Sequence, residues 1–91
     1  MVRVELIPTL THCIQTTAKR EFSRNLDAYL QKDEEDEELG ARMELLRLFL
    51  ESADFRELRR QSEKHLVAGK TVRFLLSLEA GEPRCEMTVD P

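Results

Sequence analysis

The sequence has no tryptophan, five aromatic residues, three glycines, three prolines and two cysteines. Each scarcity closes off a class of protein. Gly40, Gly69 and Gly81 are isolated, so there is no glycine-rich loop to cradle a phosphate. Cys13 and Cys85 stand far apart with no CxxC, which argues against a disulfide scaffold and against a zinc site built from close ligand pairs. The basic residues lack the flanking aromatics or the module signature expected of a nucleic-acid binder. No run approaches the roughly 20 apolar residues of a membrane span. Nor does the charged alternation of Met1–Glu5 resemble a signal peptide. The chain therefore reads as soluble and cytoplasmic, with both thiols reduced.

What is present is charge and regular apolar patterning. At 91 residues, 41% hydrophobic and 35% charged, the chain suits one domain that buries about two-thirds of its unfolded surface. Cores of that size are marginal and are often reinforced by pairing with a second copy. The net charge of −4 is unevenly spread. Residues 1–32 balance to +2 and residues 42–91 to zero, while the hexapeptide Asp33-Glu34-Glu35-Asp36-Glu37-Glu38 carries the acidity.

The last third organises the rest. Val72, Phe74, Leu76 and Leu78 alternate with Arg73, Leu75, Ser77 and Glu79; past a Gly/Pro break, Cys85, Met87 and Val89 alternate with Arg84, Glu86, Thr88 and Asp90. Period-two alternation on both sides of a turn predicts a β-hairpin with one buried face. Opposite charges favour a register with Leu78 facing Cys85, Glu79 facing Arg84 and Arg73 facing Asp90. That register leaves Ala80-Gly81-Glu82-Pro83 as a four-residue loop. A two-residue Gly81-Glu82 turn would need an N–H that Pro83 lacks.

Upstream, Val2, Val4 and Leu6 predict a short strand ended by Pro8. A helix from about Thr9 or Thr11 to Lys32 follows, with Leu10, Ile14, Ala18, Phe22, Leu26 and Tyr29/Leu30 on its apolar stripe. The second helix carries Leu39, Met43, Leu46, Leu50 and Ala53, and Gly40 would delay its start to about residue 41. Asp54 with Glu57 has capping-box spacing. It marks a third helix over about 55–68, with Phe55, Leu58, Ser62, Leu66 and Val67 inward and Gly69 beyond its end. The fold class is α+β, in the order β-α-α-(α)-β-β: a small three-stranded antiparallel sheet with two or three helices on one face.

No residues carry an obvious reaction. His12, His65, Cys13 and Cys85 are the soft ligands and nucleophiles. Cys85 falls on the apolar hairpin face and Cys13 near the Leu10/Ile14 stripe, where free cysteine acts as a small hydrophobe. No catalytic residue, metal or cofactor is expected, and an enzyme is not. The acidic run Asp33, Glu34, Glu35, Asp36, Glu37 and Glu38 lacks the interleaved glycine and carbonyls of a Ca²⁺ loop and suits docking of a basic partner. An open sheet edge at Val72–Leu78 or Val2–Leu6, with Phe74 and the outward Leu75, suits strand addition. These features predict a protein-interaction module, homodimeric and non-enzymatic. The alternative is a small regulatory domain holding an anionic ligand or a nucleic-acid phosphate on the helical stripe Arg56, Arg60 and Lys64. A solvated face with i,i+4 pairing accounts for that stripe as well, as it does for Lys19, Arg20 and Arg24.

Overall fold

A computed structural model describes residues 2–32 and 36–91. Its elements are β1 (Arg3–Leu6), α1 (Ile14–Gln31), α2 (Glu37–Ser52), α3 (Phe55–Val67), β2 (Thr71–Glu79) and β3 (Glu82–Asp90). The three strands form one antiparallel sheet in the order β1-β2-β3, and the helices pack on one face. The fold is the small α+β domain that the alternation and the helical stripes predict.

Each boundary has a local cause. Asp36 caps α2 by accepting the Leu39 N–H at 3.1 Å, so Gly40 sits inside the helix and Glu37 and Glu38 lie in its first turn, where the dipole favours anions. Asp54 caps α3 by accepting the Glu57 N–H at 3.1 Å. That confirms the break between α2 and α3, and the Phe49 and Phe55 rings span it edge-to-face at 5.3 Å. At the end of α3, Gly69 (φ +81°) lets its own N–H reach Leu66 O and the Lys70 N–H reach His65 O, both at 3.0 Å. This double closure satisfies carbonyls the helix leaves open, and it needs the left-handed glycine.

Helix α1 begins later than its apolar spacing suggests. The Thr9 N–H donates to His12 O at 2.8 Å and Thr9 Oγ1 accepts the His12 N–H at 3.0 Å. This closed turn holds residues 9–12 out of the helix, and Leu10 is exposed rather than part of the stripe. Val67, at the last position of α3, is also exposed.

The core lies between the helices and the inner sheet face. It contains Val4 and Leu6 of β1, Ile14 and Ala18 of α1, Leu45, Leu46 and Phe49 of α2, and Val72, Phe74 and Leu76 of β2. Two polar side chains join it without loose ends. Asn25 Nδ2 donates to Glu21 O at 2.7 Å, and Ser62 Oγ donates to Arg59 O at 3.2 Å. Among the described residues no buried side-chain polar atom lacks a partner.

The hairpin register differs from the charge-based expectation by two residues. Leu76 faces Cys85, Phe74 faces Met87, Val72 faces Val89 and Leu78 faces Pro83. The turn is the two-residue Ala80-Gly81, with φ of +51° and +78°, the pair of positive φ values that matches strand twist in a tight hairpin. Glu79 and Glu82 close it, which puts Pro83 at a non-hydrogen-bonded position where no N–H is needed. The expected ion pairs survive as diagonals: Arg84 Nε lies 3.2 Å from Glu79, and Arg73 Nε 2.7 Å from Asp90. Because Ala80 carries a Cβ in a left-handed conformation, Ala80→Asn should stabilise the domain by about 1 kcal/mol. A rise in denaturant midpoint with an unchanged m-value is the check.

Candidate functional site

Two surfaces have the chemistry of a binding site: the β3 edge and a groove between α1 and α3. The sheet topology corrects the expected edge, because Val72–Leu78 is the central strand, paired on both sides. Phe74 is 0% exposed beneath the helices, so no partner reaches it without unfolding the core. Leu75 is half-buried on the outer face between Glu5 and Glu86. The free edges belong to β1, four residues long, and β3, nine residues long.

The helices cover β3 only in part. Its inner-face side chains stand beside fully buried neighbours, yet Met87 is 36% exposed and Cys85 is exposed as well. Cys85 is thus not part of the buried face that alternation implies. With the neighbouring Glu86 carboxylate, partial cover by the sheet pushes its thiol up to about 11, chiefly through desolvation, so it stays protonated at neutral pH. A groove of about 240 Å³ runs alongside, where Phe49 and Ala53 at the end of α2 and Leu58 of α3 meet Pro83 and Cys85. The outer face is polar by contrast, with Arg73 bridging Asp90 (2.7 Å) and Glu5 (3.1 Å).

The second surface is a groove of about 460 Å³ at the N-terminus of α1, lined by Cys13, Gln15, Arg56, Arg59, Arg60 and Glu63 among others. Of the expected cationic stripe, Arg56 and Arg60 line it, Lys64 does not, and Arg59 joins it. Glu57 engages Arg60 at 2.7 Å. Cys13 occupies the N-cap of α1 rather than its buried stripe. Hydrogen bonds from the Thr16 hydroxyl (3.4 Å) and the Thr16 backbone, with a smaller contribution from Arg59, hold its thiol below the ordinary value. Adjacency in sequence gave no hint of this grouping, since Cys13 and Arg59 come from elements 40-odd residues apart that meet only in the fold.

Of the acidic run, Asp36 is a cap that also pairs with Lys32 and Glu38 pairs with Arg42. Asp33, Glu34 and Glu35 lie outside the described residues. Among the described residues, no group of three or more His, Cys, Asp or Glu side chains is placed to hold a metal ion. No described helix is long and apolar enough to cross a membrane.

These features define a small α+β domain with one long, partly covered edge strand. The chain belongs to an uncharacterized protein family whose model matches residues 2–85. It is also similar to an uncharacterized protein of Archaeoglobus fulgidus, with 44% identity over 52 residues. That match covers 55% of this chain and 61% of the relative's length. No solved structure matches.

Proposed function

We propose that the chain is a cytoplasmic, non-enzymatic protein-interaction module that binds through the edge and inner face of β3. One observation carries this reading: Cys85 and Met87 lie exposed on the face whose next strand, at Leu76 and Phe74, is fully buried. Such an edge offers main-chain donors and acceptors to an added strand, and the apolar strip beside it gives that strand side-chain pockets. Substituting Met87→Lys puts a charge on the strip while leaving the helix-covered core untouched. The tagged protein should retain a stoichiometric protein partner from its own cells, a second copy included, and Met87→Lys should release it. Equal retention by both proteins would refute the β3 site.

A second reading rests on the convergence of Arg56, Arg59 and Arg60 at the N-terminus of α1, where helix dipole and guanidinium charge both favour an anion. On that reading the domain holds an anionic ligand. Cys13 then lies against the ligand, and its accessibility reports occupancy.

A further inference from the structure

We propose that the partner seated on β3 is a second copy of this chain, whose β3 pairs antiparallel about a two-fold axis through Met87 to make a continuous six-stranded sheet. The inference rests on the reading of β3 as the binding edge and adds its occupant and register.

The hydrogen-bonding phase of β3 follows from the turn. Glu79 and Glu82 close a two-residue hairpin and are therefore a hydrogen-bonded pair, so Arg84, Glu86, Thr88 and Asp90 point their main-chain groups at β2. The groups of Pro83, Cys85, Met87 and Val89 point out of the sheet. A two-fold partner centred on Met87 sets Met87 against the partner's Met87 and Cys85 against the partner's Val89. Every outward N–H of Cys85, Met87 and Val89 then finds a carbonyl. The next pair on either side is Pro83 with the partner's Pro91, two residues with no donor to waste.

Charge selects the same register. Arg84 falls opposite the partner's Asp90, and Glu86 opposite the partner's Thr88, on the outer face. A centre at Glu86 would oppose Glu86 to itself and Glu82 to the partner's Asp90. A centre at Thr88 would oppose Glu86 to the partner's Asp90. Like charges directly opposed are destabilising. A centre at Cys85 sets donorless Pro83 against Met87 and runs the Ala80-Gly81 turn into the facing strand. On the inner face the Met87 register brings the partner's Val89 against Cys85 and its Pro91 against Pro83, beside the 240 Å³ groove those residues line. The contact is isologous, so one self-complementary strip serves both copies.

The test joins oligomeric state to a register-specific cross-link. In sedimentation equilibrium the full chain should weigh twice its 10.6 kDa. Met87→Pro should be monomeric, because the Met87 N–H points out of the sheet and the β2–β3 ladder loses nothing. Should that variant fail to fold, the cross-link decides. With Cys13 and Cys85 both replaced by Ser, Met87→Cys should oxidise to a covalent dimer. Its Cα atoms face each other at about the 5.5 Å of a hydrogen-bonded pair, within disulfide reach. Arg84→Cys in the same background should form no covalent dimer under the oxidant, because residue 84 faces the partner's Asp90 and not its own copy. A monomeric wild-type protein overturns self-pairing; if Met87→Lys still releases a different protein from the cell, the β3 docking reading survives without it. A dimer that cross-links at residue 84 and not at 87 overturns the register.

Discussion

Phe74→Ala should cost about 3–5 kcal/mol, the range for truncating a large aromatic in a core that cannot collapse around the loss. Phe74 sits in the middle of the central strand, with Leu6 opposite on β1 and Met87 opposite on β3, and has no exposed surface. Three elements would lose a packing partner together. The total stability of a domain is about 5–15 kcal/mol, so the variant should keep only a fraction of it. At 91 residues each kcal/mol moves the midpoint by several degrees, so Tm should fall by roughly 15–30 °C. Thermal unfolding followed by circular dichroism at matched protein concentration is the measurement. A fall of less than about 5 °C would contradict the central placement of Phe74. Leu75→Lys, one residue along on the polar outer face, should move Tm far less and serves as the control.

The two cysteines should react at different rates and with different pH profiles. Thiolate is the nucleophile. Cys85, with its thiol pushed up to about 11, is about a thousandth ionised at pH 8. The Thr16 hydrogen bonds hold Cys13 below the ordinary thiol value, so a far larger share of it is ionised at that pH. The less basic thiolate is the weaker nucleophile, which offsets only part of that advantage. Iodoacetamide should therefore label Cys13 at least about tenfold faster than Cys85 at pH 8. Raising the pH should bring Cys13 to a plateau first, while Cys85 keeps accelerating towards pH 11. Peptide mapping after timed quenching reads both sites at once. Equal rates would mean that Thr16 does not hold the Cys13 thiolate. The same assay bears on the anion reading: inorganic pyrophosphate should slow labelling of Cys13, and Arg59→Glu should abolish that protection.

Sequence patterning yields some features and withholds others for identifiable reasons. Alternation assigns each residue of β2 and β3 to a face, and those assignments hold. It cannot assign register, because a slip by two residues leaves every face unchanged. The charge pairs that pointed to the four-residue loop are satisfied equally well along the diagonals of the tighter hairpin. Capping is local chemistry, so Asp54 with Glu57 and the left-handed Gly69 are legible in the chain itself. The start of α1 is not, because Thr9 can as readily close its own turn as begin a helix. The exposure of Cys85 and Met87 illustrates a further limit. Alternation says which side of a sheet a residue faces, but whether a helix covers that side depends on where α2 and α3 come to rest. The groove at Cys13 has the same origin, since it exists only after α3 is docked beside the start of α1.

The two margins of the sheet are unequal in what they allow the molecule to build. β1 offers four residues, carries Arg3 and Glu5 on its outer side and runs into the buried Pro8. β3 offers nine. A unit with two equivalent adhesive sides adds copies without end, whereas one with a single adhesive side has a valence of one. Whatever strand joins β3 consumes the sheet's capacity for growth. The architecture thus permits a complex of fixed stoichiometry and stops short of the fibre that an unguarded β-strand otherwise invites.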